Sequence, residues 1–187
     1  MSVTTHLRVI LEELSDNQQW IDDAQLHELV GAITAARHVF LAGAGRSGIA
    51  TRGFTNRLMH LGISASLVGD VTSPHTAPGD LLIVASGSGR TDSLVSLGGK
   101  ARASGVVIAL VMMDADSPLG QLADVTVVLP GVSPKTRGTV RQVASIQPMG
   151  SAFEQITALT FDAVVLELMQ RTGQTSAQMF DRHADLE

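Results

Sequence analysis

The run LLIVASGSGRT at 81–91 places Ser86, Ser88 and Thr91 in a glycine-rich break between an apolar strand and a helical pattern. Such a break leaves backbone N–H groups free at a helix start. Glycines let a ligand come close, hydroxyls add donors, and the helix dipole favours an anion such as a phosphate or carboxylate. The same letters also suit an ordinary strand-to-helix turn with Thr91 or Asp92 as N-cap. A second break, Gly43-Ala44-Gly45-Arg46-Ser47-Gly48, comes after an earlier apolar run and offers a cation and a hydroxyl. It matches G-x-G-x-x-G, and Asp70 stands 22 residues past Gly48, so a nicotinamide or flavin enzyme is one reading. Arg46 and Ser47 suit a bare phosphate as well as a pyrophosphate, however. Two hydroxyl-rich loops at neighbouring strand ends would focus on one compact phosphorylated ligand.

Acid–base chemistry needs a carboxylate or an imidazole near that ligand. Glu154 stands near the start of a long helical pattern over 150–171. Its plain alternative is the capping box Ser151-Ala152-Phe153-Glu154, in which the glutamate satisfies a backbone N–H. His183, near the end of the sequence, is the other candidate, because imidazoles exchange protons near neutral pH; its alternative is a solvated side chain. His60 is expected to cap or pack at a helix end, and His75 is a lesser candidate. No histidine–carboxylate pair stands at metal-ligand spacing on one helix, so no metal is expected.

These residues must be positioned by the elements around them. Residues 5–18 and 22–36 carry apolar residues at helical spacing and precede any strand. This helical hairpin could pack against a second subunit or cover a sheet edge. From 38 onward, short apolar runs alternate with helices: strands at 38–42, 64–68, 81–85, 106–112 and 125–129, helices at 48–61 and 92–104, and a short helix from Ser117-Pro118 to Ala123. The pattern predicts an α/β fold, a parallel five-stranded sheet with helices on both faces. Ligands then sit beyond the carboxyl ends of the strands, where strand order reverses.

The segment 130–147 lacks periodicity and concentrates Lys135, Arg137 and Arg141 in a chain with 13 basic residues. It reads either as a surface excursion or as a basic lid over an anionic ligand. The helix at 150–171 is apolar on two sectors, one with Phe153, Ile156, Leu159 and Leu166, the other with Phe161, Val165 and Leu168. One face can cover the sheet and the other calls for a partner chain, so an oligomer is expected. A short helix from Ser176 to Glu187 ends the sequence. One domain is expected over 1–187, with N-terminal helices (1–36), a sheet core (37–130), a basic loop (131–147) and C-terminal helices (148–187).

With 44% apolar residues, 17% charged residues and a net charge of −5, the 187-residue chain is expected to be globular and not to bind nucleic acid. It has no cysteine, so disulfide and thiolate chemistry are excluded, which suits the cytoplasm. Its apolar runs are too short to span a bilayer.

Together GAGRSG (43–48), RLMHLG (57–62), SGSGRT (86–91), IQPMGSAFEQ (146–155), FDAVVLELM (161–169) and RHADLE (182–187) resemble the sugar isomerase (SIS) domain family. The narrower likeness, carried by IQPMG-x-x-FE and the terminal H-A-x-L-E, is to its branch serving the ribulose monophosphate pathway. The resemblance implies a flavodoxin-like sheet, no cofactor, and interconversion of D-arabino-3-hexulose 6-phosphate with fructose 6-phosphate beside a hexulose-phosphate synthase. It implies phosphate on Ser47, Ser86, Ser88 and Thr91, with Arg46 toward sugar or phosphate and Glu154 as base. It further implies His183 from an adjacent subunit of a homodimer or homotetramer. Other phosphosugar isomerases of the family, of the arabinose 5-phosphate type, and non-catalytic phosphosugar sensors are the alternatives. Position 90 is Arg where the family often has Glu, which would make the phosphate loop more basic. Position 185 is Asp where Asn is usual, leaving only an acceptor when ionised.

Overall fold

The computed structural model describes residues 2–135 and 144–185. Helices α1 (Val3–Gln18) and α2 (Asp23–Ala35) come first. They are followed by β1 (Val39–Gly43), α3 (Gly45–His60), β2 (Ala65–Leu67), β3 (Leu81–Ala85), α4 (Asp92–Ala103) and β4 (Val107–Met112). A 3₁₀ turn (Gly120–Leu122), β5 (Val125–Val128), α5 (Ser151–Thr172) and α6 (Ser176–Phe180) complete the order. The five strands pair in parallel in the order β2-β1-β3-β4-β5, the flavodoxin-like arrangement expected. No helix among the described residues is long and apolar enough to cross a membrane.

Both faces of the sheet are covered, which is why its strands read as unbroken apolar runs. Leu41, Ile83, Val111 and Val127 pack on one face with the helices α1, α2, α3 and α5. Phe40, Leu82, Val84 and Leu110 pack on the other face with α4. Under the first layer, Phe54 of α3 stacks on Phe161 of α5 with ring centroids 4.3 Å apart. The N-terminal hairpin covers a sheet edge: α2 lies against β5, and Gln25 Oε1 accepts the Val128 N–H at 2.8 Å.

Three expectations need correction. The helix expected from 48 starts at Gly45, because Gly48 lets the helix turn press directly on the end of β1. The helix expected over 117–123 is only a 3₁₀ turn, tightened where the buried Ser117 Oγ accepts the Gly120 N–H at 3.1 Å. On α5, Leu159 and Leu166 do not join the buried sector; they are 51% and 66% exposed, while Phe153, Ile156, Phe161, Val165 and Leu168 are buried.

A Cβ at Gly48 would lie 2.7 Å from the Gly43 carbonyl oxygen, whereas one at Gly53, on the same helix, would meet nothing within 4 Å. Gly48→Ala is therefore expected to lower stability by about 1–3 kcal/mol through overpacking. Gly53→Ala should be neutral or stabilising by up to about 1 kcal/mol through helix propensity. Chemical denaturation of the two variants checks this.

Candidate active site

β1 and β3 are neighbours, and their last residues, Gly43 and Ala85, stand in register. From these ends the chain departs toward β2 on one side and β4 on the other, so the loops after the two strands open a crevice between them. There a cleft of about 230 Å³ is lined by Ser47, Ser86, Ser88, Thr91, Lys135 and Glu154, above Met113 and Phe153. Ser47 comes from the first turn of α3, the next three from the loop into α4, and Glu154 from the first turn of α5. With Ser133, which also lines the cleft, five hydroxyl side chains, the N-terminal turns of α3, α4 and α5 and an ammonium thus face one volume. That combination suits a phosphoryl group.

The loop after β3 is held from below. Ser86 donates its N–H to Val111 O at 3.0 Å, Met113 to Gly87 O at 2.9 Å, and Leu119 to Gly89 O at 3.2 Å. Gly89 has φ +61°, and a Cβ there would collide with the Ser117 side chain. Among the described residues, the N–H groups of Gly87, Ser88 and Thr91 donate no hydrogen bond. Thr91 occupies the N-cap of α4, as its plain reading has it, yet its hydroxyl makes no capping bond. The loop therefore keeps these amides and the Ser86 and Thr91 hydroxyls unspent, while Ser88 Oγ accepts the Arg90 N–H at 3.3 Å.

Arg90 does not add charge to that loop in the simple way its type suggests. Its Nη2 lies 3.1 Å from Asp114 Oδ2 and donates to the Asp116 carbonyl at 3.1 Å. Asp114, at the end of β4, is 3% exposed and also accepts the Asp116 N–H at 3.1 Å. The pair cancels most of the charge and fastens the loop to the neighbouring strand end. Nothing in the sequence pattern sets Asp114 apart from Asp116, two residues further on after the same apolar run.

The capping box at Ser151–Glu154 does not form. The N-cap is Gly150 and it makes no side-chain bond, so Ser151 is already the first helical residue and Glu154 falls one place too far along. Glu154 instead meets Arg46, with Nε 2.7 Å from Oε2; the side chains are 58% (Arg) and 22% (Glu) exposed. The arginine thus lies on the carboxylate, in the depression between α3 and α5 next to the cleft.

His183 does not line this cleft in its own chain. Its ring stacks on His60 at 5.3 Å and on Phe180 at 5.9 Å. His60 closes α3, and thirteen residues of helix separate it from Ser47, roughly 20 Å. His75 is exposed, and Asp70 lies beyond β2, outside the cleft lining. Of the basic loop, Lys135 reaches the cleft; Arg137 and Arg141 lie outside the described residues, as do the last two residues of the terminal motif.

A doubly wound parallel sheet with a paired hydroxyl cleft at its switch point defines a class of phosphate-binding α/β domains. The family pattern of the SIS domain matches residues 32–159, and the chain belongs to that family. It is 40% identical to a 3-hexulose-6-phosphate isomerase of Bacillus subtilis over 187 residues, all of both chains. It is 37% identical to the 3-hexulose-6-phosphate isomerase of Mycobacterium gastri, covering 99% of this chain and 92% of that one. A hypothetical protein of Methanococcus jannaschii, whose crystal structure infers a molecular function of 3-hexulose-6-phosphate isomerase, superposes with TM-score 0.78 at 32% identity, covering 96% of this chain and 94% of the other.

Because Arg90 faces the buried Asp114, Arg90→Glu would oppose two carboxylates at the base of the loop. The variant is expected to melt earlier and to weaken orthophosphate binding by about tenfold, roughly 1.4 kcal/mol. Adding Asp114→Asn should recover part of both losses. Thermal melting and calorimetric titration with phosphate read the two effects.

Proposed function

We propose that this chain is an isomerase interconverting D-arabino-3-hexulose 6-phosphate and fructose 6-phosphate through a cis-enediolate. The observation that carries the reading is the meeting of Ser47, Ser86, Ser88 and Thr91 with Glu154 in one cleft. The full-length relatives named for this activity support it.

Moving the carbonyl from C3 to C2 removes the C2 proton, places the electron pair in a C2–C3 enediolate, and returns a proton at C3. One carboxylate can serve both carbons if the remote phosphoryl group fixes the sugar, so binding far from the reacting atoms is used for alignment. In this reading Glu154 is the base. Ser47, Ser86, Ser88 and Thr91 hold the phosphoryl group with the free amides, Lys135 supplies countercharge, and Arg46 shifts from Glu154 toward the developing oxyanion. No cofactor takes part.

The hydroxyl protons at C2 and C3 must also move, and we assign that task to His183 of a second copy. Its exposed ring, beside the exposed Phe180 and Leu166, favours a site completed across a subunit interface. A homodimer or homotetramer of this kind would work in the cytoplasm, where phosphorylated sugars are retained, next to a synthase that makes the 3-ketose.

A coupled assay with ribulose 5-phosphate, formaldehyde and a hexulose-phosphate synthase should yield fructose 6-phosphate only when this protein is present. Ribulose 5-phosphate alone should not be isomerised; if it is, the arabinose 5-phosphate type of activity replaces this one. Glu154→Gln is expected to bind fructose 6-phosphate normally while kcat falls by about 10²–10⁴-fold, the range for losing a general base. Mixing inactive Glu154→Gln and His183→Ala chains should restore turnover if the site is shared between copies; no recovery returns His183 to the surface.

A further inference from the structure

Glu13 lies on α1, outside the region that the family pattern matches, and its half-buried carboxylate is not spent on its own helix. Three donors from one short segment converge on it. Ser145 Oγ donates to Oε1 at 2.5 Å, the Ile146 N–H to Oε2 at 3.2 Å, and Gln147 Nε2 to Oε1 at 3.1 Å. An ionised carboxylate only accepts, and charge-assisted bonds of this kind are stronger than neutral ones. The segment 145–147 is thereby strapped to α1.

Past the strap, the chain leads straight to the site. Pro148 restricts the backbone, and its carbonyl accepts the Ser151 N–H at 3.1 Å. Met149 has φ +52°, a left-handed conformation that a non-glycine residue adopts only where its surroundings impose it. Gly150 caps α5, accepts the Glu154 N–H at 3.0 Å, and lies against the Glu154 carboxyl group, whose Oε1 would stand 3.5 Å from a Cβ at that position. On the far side, α5 is fixed by its buried Phe153. The turn 148–150 is held at both ends, and one of those ends is Glu13.

We infer that Glu13 is a positioning residue: by gathering Ser145, Ile146 and Gln147 it fixes the turn that aims Glu154 into the cleft. The catalytic consequence rests on the activity proposed above. The phosphate-binding hydroxyls sit in the first turn of α3 and in the loop after β3, and among the described residues no hydrogen bond joins them to the strap, so loss of Glu13 should misplace the base and spare phosphate binding.

The test compares Glu13→Ala, Glu13→Gln and the neighbouring Glu12→Ala, which removes only an exposed pair with Arg8. Hydrogen–deuterium exchange reads the strap without reference to any reaction. Peptides covering 144–150 should exchange faster in Glu13→Ala than in the wild type or Glu12→Ala, with the sheet unchanged. Misplacing a reacting group by about 1 Å can cost up to 100-fold, so kcat for the 3-ketose phosphate should fall at least tenfold, with KM and the affinity for orthophosphate within about twofold. Glu13→Gln, which keeps one acceptor oxygen, should fall between. Unchanged exchange at 144–150, or unchanged kcat with faster exchange, overturns the inference. If the wild type itself turns over no 3-ketose phosphate, the proposed activity fails, and the exchange data still decide whether Glu13 anchors the turn.

Discussion

Everything at this site depends on one topological constraint: two hydrogen-bonded parallel strands, β1 and β3, whose chains depart to opposite sides of the sheet. Loops that run apart cannot cover the strand ends between them, so the crevice is a consequence of strand order and needs no further device. The parallel register of β1 and β3 runs from Val39 opposite Leu81 to Gly43 opposite Ala85. It brings the Gly43 and Ala85 ends level, and the hydroxyl loops inherit that alignment. The glycine at 48 then lets α3 begin immediately, keeping its N-terminal turn in the crevice.

Two arginine–carboxylate pairs flank the cleft, and burial separates their roles. Arg46 is 58% exposed and its partner Glu154 22%, so their attraction is screened and worth no more than about 1 kcal/mol. In the proposed reaction a sugar oxygen would displace the guanidinium at little cost and leave the carboxylate available. Asp114 is 3% exposed and carries a second hydrogen bond from the Asp116 N–H. Removing Arg90 would leave a buried charge uncompensated, which costs several times more than losing a surface pair. The first pair can open in use; the second keeps the loop in shape.

The sequence made the parallel five-stranded sheet, the two glycine-rich loops and the existence of the N-terminal hairpin readable, because each rests on local pattern; which surface the hairpin covers was left open, and the flavodoxin-like order came from the family resemblance. Apolar runs without alternation announce strands buried on both sides, and G-x-G-x-x-G demands a close strand–helix approach. What stayed hidden depends on contacts between distant residues. The capping-box letters at Ser151–Glu154 were sound as local chemistry, but the turn at 148–150 starts the helix one residue early and frees Glu154 for Arg46. Arg90 looked like added positive charge because Asp114 is 24 positions away. The strap to Glu13 spans more than 130 positions, so no window along the chain could have revealed it.

The lining of the cleft also bears on whether one chain is enough. Enediolate chemistry needs a base for the carbon-bound proton and a separate group for the hydroxyl protons. Among the described residues lining the cleft, the groups that can carry or exchange charge are Glu154 and Lys135, and no histidine joins them. In the reading proposed above, Lys135 is already committed as countercharge to the phosphoryl group. The second group must then come from elsewhere, and α3 holds this chain's own His183 a helix length away beside His60. Leu159, Leu166 and Phe180 remain exposed on the C-terminal helices, and a second chain covering them would bury apolar surface that one chain cannot. The second copy proposed above, placed against α5 and α6, would therefore both complete the proposed chemistry and cover that surface.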